Sequence, residues 1–276
     1  MQVPSSPPTG RINAKRRRFD EVVADIRHAV YSVTRHRPAP QGGFECWPLG
    51  SGFFVSSKVF LTCFHVLMNP ANPHQDGDQY QLVNNLGTGG SIHLVSNAIA
   101  QNNLHLFQEA DLALLQVDGN QDRPYLPLEY GDTPVGTEIG VAGYPLPQLL
   151  VTNGTLRYDG LIFRVAKNVV TSTYRTNIPT DMGFLLTDVP IIEVNFLFVS
   201  GNSGGPLFLA ETGRAIGFVH GYRTQKIREK VETVTLIPAL PAGMSGTYIE
   251  NQSALYSLGI GLSRVRVYLE QFGVTL

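Results

Sequence analysis

Ser203 lies in the run Gly201-Asn202-Ser203-Gly204-Gly205-Pro206, where the flanking glycines free the backbone to turn sharply. A turn of that kind points adjacent N–H groups at one spot, as stabilisation of an oxyanion requires. Gly201, Asn202 and Ser203 are therefore the candidate oxyanion hole, with the amides of Gly201 and Ser203 as donors. Each such donor is worth about 2.7–4 kcal/mol when tested by mutation. A serine hydroxyl is a poor nucleophile at neutral pH and needs a base within hydrogen-bond reach, itself oriented by a third group. The base candidate is His65, which follows the apolar run Val59-Phe60-Leu61-Thr62. The orienting candidate is Asp111, which opens Asp111-Leu112-Ala113-Leu114-Leu115 and sets a carboxylate directly against an apolar strand, a costly placement unless the charge is paired.

Each residue also has a purely structural reading: a Gly-rich turn with an exposed serine, a histidine satisfied beside the core, an aspartate bonding amides at a strand start. Chain order favours chemistry. His65, Asp111 and Ser203 occur in the order His, Asp, Ser that chymotrypsin-like enzymes use. Gly201-x-Ser203-x-Gly205 also fits the nucleophile elbow of α/β-hydrolases, but that fold needs an acid and then a histidine after the serine. No Asp follows Ser203, and His220 is the only later histidine, with Glu211 alone between them, so the esterase reading falls away.

The elements that must position these residues read as short strands. Val30 to Thr34, Gly52 to Val55, Val59 to Thr62, Gln79 to Val83, Ser91 to Val95 and Leu112 to Val117 are β-rich and divided by turn residues. Glu138 to Ala142, Gly160 to Val165, Ile191 to Phe198, Pro206 to Leu209 and Ala215 to His220 continue the pattern. Strands this short and frequent, without crossover helices, predict an antiparallel all-β barrel or sandwich. Phe19, Val22, Val23 and Ile26 recur at helical spacing, and a final helix is expected over 262–272. The polar, then Pro/Gly-rich stretch Thr224 to Ser253 is expected to be a long surface excursion.

With 43% hydrophobic and 16% charged residues, most of the chain should bury a core. A formal net charge of -1 offers no general attraction to nucleic acid, and the run Lys15-Arg16-Arg17-Arg18 is expected to end a flexible tail over residues 1–18. A nuclear-localisation or phosphate-binding role for that run is the competing reading. Cys46 and Cys63 are too few for a disulfide framework, which favours a reducing compartment. No apolar stretch suits a signal peptide or a membrane span, so the protein is expected to be soluble and intracellular, cytoplasmic with a nuclear location open.

The resemblance is to trypsin-like peptidases of the HtrA type. Val22 to Val33 is similar to that family's first helix and strand, and Gly50-Ser51-Gly52-Phe53-Phe54-Val55 with Leu61-Thr62-Cys63-Phe64-His65-Val66 to its histidine block. Asp111 to Leu115 resembles the aspartate block, Gly143-Tyr144-Pro145 a Gly-x-Pro turn, Phe184 to Asp188 the stretch before the serine block, and Leu258 to Leu262 the end of the protease domain. The resemblance implies a chymotrypsin-like double six-stranded antiparallel β-barrel with short terminal helices, the barrels spanning roughly 29–130 and 131–260. It implies a serine endopeptidase acting on protein or peptide through an acyl-enzyme, with His65 as base then acid, Asp111 fixing its tautomer and Ser203 attacking.

Some residues depart from the relatives. Asn202 stands where secreted trypsins have the aspartate of zymogen activation, Val66 where they have a half-cystine, and PDZ domains are not expected. The family pattern walls the primary pocket with Leu197, Phe198, Val199, Val219, His220 and Gly221. No carboxylate appears there, so an apolar preference is expected. His220 could instead recognise Gln or Glu, although its place is one residue late for that, or pack near the triad. Pro190 to Val199 and the excursion after Tyr222 are expected to border the cleft. No metal or cofactor is expected, and a catalytically silent protease-like binding module is the alternative function.

Overall fold

The computed structural model of the chain describes residues 11–12, 15–40, 42, 44–70, 73, 75–84, 91–95, 103–117, 123–145, 149–152, 155–158, 161–195, 198–235 and 245–274. Seven strands make the N-terminal sheet: β1 (Val30–Pro38), β2 (Phe44–Phe54), β3 (Val59–Cys63), β4 (Gln79–Asn84), β5 (Ser91–Val95), β6 (Leu104–Phe107) and β7 (Leu112–Gln116). They pair antiparallel in the order β5-β4-β1-β2-β3-β7-β6. The C-terminal half contains β8 (Glu138–Gly143), a small hairpin of β9 (Leu149–Thr152) and β10 (Thr155–Tyr158), then β11 (Arg164–Pro179), β12 (Leu185–Val194), β13 (Pro206–Leu209), β14 (Ala215–Thr235) and β15 (Ser245–Gly261). There β11-β12-β15-β14-β13-β8 close into a six-stranded barrel. The architecture is the chymotrypsin-like, two-barrel all-β fold expected from the sequence, its first sheet carrying one strand more than six.

The apolar run Val59-Phe60-Leu61 is buried on both sides of β3 because that strand lies between β2 and β7 under the N-terminal core. Tyr31, Phe54 and Phe60 meet edge-to-face there, with centroids 5.1 to 6.2 Å apart. A second apolar cluster, including Val141, Val194, Leu207, Ile216 and Val219, lies in the C-terminal barrel. Helix α1 (Phe19–Ile26) has Asp20 and Glu21 in its first turn, where the helix dipole favours them, and Glu21 accepts the Arg18 backbone N–H at 3.3 Å. It buries Val22 and Ile26 and stacks Phe19 on Phe208 of β13.

The expected tail boundary moves. Ile12 is buried, its N–H bonded to the Tyr125 carbonyl at 3.1 Å, so docking to the body starts before residue 18. In the basic run, Arg16 pairs with Glu211 at 3.1 Å, while Arg17 pairs with Asp25 and Arg18 with Asp20 at 3.1 Å, both on the adjoining helix α1. The strand expected over Gly160 to Val165 begins only at Arg164, and the one expected at Ile191 to Phe198 is the second half of β12. Long hairpins account for both shifts. The excursion after Tyr222 is also a hairpin in its described part, β14 pairing with β15 from Gly217 opposite Gly261 to Thr235 opposite Ser245. The C-terminal turn Leu262–Arg264 and α3 (Arg266–Gln271) supply the final helical stretch. No described helix is long and apolar enough to cross a membrane.

Candidate active site

His65 stands in a single helical turn, α2 (Phe64–Leu67), that starts directly where buried β3 ends. Asp111 follows a 3-10 turn (Gln108–Ala110) and takes a left-handed φ of 47° just before β7. β3 and β7 pair with Cys63 opposite Leu112, so the two strand ends deliver both residues to one edge. A further backbone bond, Phe64 N–H to the Asp111 carbonyl at 3.1 Å, locks the turn to the strand start. The His65 Nδ1 then lies 2.9 and 3.1 Å from the two Asp111 carboxylate oxygens, and the His65 backbone N–H donates to Asp111 Oδ1 at 3.1 Å.

Asp111 is 1% exposed, and burial alone would push its pKa up. The charge of His65 and the N–H donors of His220 and His65 outweigh burial and hold the carboxyl well below the usual carboxylate range. For His65, burial pulls the pKa down, but the charge and hydrogen bond of Asp111, with a smaller contribution from Asp181, leave it raised. With Nδ1–H directed at the carboxylate, the other ring nitrogen is left as a proton acceptor.

The serine arrives from the opposite barrel, in the turn between β12 and β13. Gly201 and Gly204 have φ of +96° and +84°, which residues with a Cβ adopt at a cost. A Cβ at Gly204 would sit 2.2 Å from the Ser51 carbonyl and 2.4 Å from Thr62 Oγ1. The Asn202 N–H is bonded to the Val199 carbonyl at 3.1 Å, which removes it from the expected oxyanion-hole set. Among the described hydrogen bonds, the amides of Gly201 and Ser203 have no acceptor. The Ser203 hydroxyl contacts the His220 carbonyl at 3.5 Å. That is a weak contact at the limit of hydrogen-bond length, and catalytic bonds commonly tighten only when substrate binds.

His65, Asp111 and Ser203 line one cleft of about 1050 Å³, together with Phe198, Val199, His220 and Gly221. Leu197 lies outside the described residues. Val219, expected in the pocket wall, instead packs fully buried in the C-terminal core, and its backbone N–H and C=O serve Gly205 and Gly204. His220 lies at a bulge, since Val219 pairs with Gly259 and Gly221 with Leu258. Its Nδ1 lies 2.6 Å from Asp111 Oδ2, a direction that explains why the residue is one place late for reading substrate. Of the long segments expected at the cleft, Phe198 and Val199 reach it. The larger contribution comes from the β11–β12 hairpin, through Tyr174, Ile178, Thr180, Asp181 and Met182. The strand expected from the sequence stops at Val165, so the part of β11 that runs on to Pro179 and forms this hairpin was not foreseen.

Ser51 is the organising residue that sequence reasoning passed over. Fully buried, it donates its hydroxyl to the Gly201 carbonyl at 2.6 Å, accepts the Tyr144 N–H at 2.7 Å, and bonds the Ser203 carbonyl through its own N–H at 2.8 Å. One small side chain thus ties β2, the end of β8 and the serine turn together. Its only sequence signal is the glycine on either side, where Gly50 leaves room for the Ser203 carbonyl, 2.9 Å from a hypothetical Cβ.

Cys63, His65 and Asp111 bring ligand-type atoms within 4.8 Å of one another. Cys63 is a free, buried thiol that donates to the Val219 carbonyl at 3.2 Å, and burial, with Asp111 adding, pushes its pKa up. A thiol held protonated beside a carboxylate already taken by N–H donors is suited to hydrogen bonding rather than to metal ligation.

Two antiparallel barrels that bring a histidine on aspartate and a glycine-flanked serine to one cleft define the chymotrypsin class of peptidase folds. The chain belongs to the trypsin-like peptidase domain family, whose model matches residues 50–218 and so spans His65, Asp111 and Ser203. Among solved structures it is similar to the active form of the Rv3671c protease from M. tuberculosis, with a TM-score of 0.57 over 100% of this chain and 95% of that one. At 16% identity, that likeness is one of fold. No curated protein matches the chain.

Proposed function

We propose that the protein is a serine endopeptidase in which Ser203 attacks a peptide carbonyl, His65 takes its proton and Asp111 holds His65 in the required tautomer. The observation that carries this reading is the 2.9 Å contact of His65 Nδ1 with buried Asp111, in a cleft that Ser203 also lines. The amides of Gly201 and Ser203 receive the oxyanion. His65 returns the proton to the leaving amine, and water hydrolyses the acyl-enzyme by the same steps in reverse. Asn202 replaces the aspartate of zymogen activation, so the turn needs no new N-terminus to form. Phe198, Val199 and Gly221 beside Ser203 support an apolar primary-site preference, and with His220 directed at Asp111 an acidic or amide preference loses its recognising group. A proteome-derived peptide library incubated with the wild type and with Ser203→Ala tests the reading. Cleavage after apolar residues that is absent from Ser203→Ala is expected, and identical peptide profiles for the two proteins would overturn it.

A further inference from the structure

Asp111 is held by two histidines. Beside His65, the imidazole of His220 approaches Oδ2 at 2.6 Å, the shorter of the two contacts, and its side chain is 14% exposed. The rings of His65 and His220 meet edge-to-face at 5.5 Å and 88°. The β14 bulge between Val219 and Gly221 is what aims His220 here, and bulges beside active sites commonly re-aim one side chain. The same residue offers its carbonyl to the Ser203 hydroxyl, so it touches both ends of the arrangement.

Resting on the peptidase reading, we propose that His220 is a positioning residue whose Nδ1–H braces Asp111 from the C-terminal barrel, so that two imidazoles share one carboxylate. The consequence is structural first. Asp111 and His65 come from one barrel and Ser203 from the other, and the His220 contact is a side-chain tie across the cleft that fixes the carboxylate relative to the strand beside the serine. The consequence is chemical second. With Oδ2 engaged by His220 and Oδ1 by the His65 backbone N–H, the carboxylate is held facing His65 Nδ1, which leaves the other ring nitrogen as the base. The groups that face this pair are Asp111 itself, the Cys63 thiol from the end of β3, and Asp181 from the β11–β12 turn, which acts on His65. Neither Cys63, held protonated, nor Asp181, on a separate hairpin, replaces the brace.

The test uses the full chain as wild type, His220→Ala and His220→Asn, the last keeping a neutral N–H donor. With a peptide substrate, His220→Ala is expected to lower kcat about 10–100-fold with KM nearly unchanged, the scale seen when an outer partner of a catalytic group is removed. His220→Asn should recover most of that loss. Unchanged kcat in His220→Ala, a loss that falls on KM, or no recovery in His220→Asn would overturn the proposal. Imidazole NMR on the same proteins separates it from the peptidase reading. Even without turnover, the wild type should show two hydrogen-bonded imidazole Nδ1–H protons, from His65 and His220, and His220→Asn one, and a single such proton in both would refute the shared carboxylate.

Discussion

Replacing Asp111 with Asn tests the site where its hydrogen bonding is densest. Oδ1 receives the His65 backbone N–H and faces His65 Nδ1, both at 3.1 Å, while Oδ2 faces His65 Nδ1 at 2.9 Å and His220 Nδ1 at 2.6 Å. Whichever oxygen becomes an NH₂, two N–H···O contacts become donor facing donor. An imidazole escapes that clash by moving its proton to the other ring nitrogen, and in His65 this removes the lone pair that must accept the serine proton. Two charge-assisted hydrogen bonds at about 1.5–3 kcal/mol each come to about 3–6 kcal/mol. At about 1.36 kcal/mol per decade, kcat should fall about 10²–10⁴-fold. Because Asp111 is what raises the His65 pKa against burial, the surviving activity should have its acid limb at lower pH than the wild type. Stability has its own sign: the folded pKa of Asp111 lies below the unfolded one, so its contribution is present above about pH 4 and is lost as pH falls through the folded value. The melting temperatures of Asp111→Asn and wild type should therefore converge in acid. Steady-state kinetics across pH and thermal melts at several pH values read all three effects. An Asp111→Asn protein within about 10-fold of wild-type kcat, with an unmoved acid limb, would refute the reasoning.

Ser51→Ala should cost about 1–3 kcal/mol, because it strands the buried Tyr144 N–H and Gly201 carbonyl, and should also lower kcat; melts and kinetics check both. Gly204→Ala has to place a Cβ 2.2 Å from the Ser51 carbonyl at a φ of +84°, so a loss of about 2–5 kcal/mol is expected, visible as a lowered melting temperature or loss of soluble protein. Asp181→Asn removes a charge that raises the His65 pKa and should shift the acid limb modestly to lower pH, an effect that added salt diminishes because the residue is exposed.

The shorter β-rich runs of the N-terminal half were legible because turn residues bound them: Ser91 to Val95 was read at its structural limits and Val59 to Thr62 within one residue, whereas only the end of β2 was expected and β6 was missed. The long hairpins were less so. β11 alternates half-exposed and exposed residues through Pro179, and nothing in that alternation tells a reader that its far end projects over a cleft. His65, Asp111 and Ser203 could be singled out because each type sits against a distinctive neighbour, an apolar strand or a pair of glycines. Asn202 and Val219 could not be excluded from their assigned roles without backbone geometry, since one is removed by its N–H bond to Val199 and the other by facing the core. The role of His220 depends on a bulge, a one-residue slip in pairing with β15 that no local pattern announces.

The central claim is that Ser203 is an activated nucleophile, and covalent labelling by a fluorophosphonate probe followed by peptide mapping tests it most directly. The account predicts a single modified peptide carrying the probe on Ser203, labelling that rises with pH through the deprotonation of His65, and its loss in His65→Ala and Ser203→Ala. Folded wild-type protein that takes up no probe at Ser203, or labels equally well without His65, would contradict it.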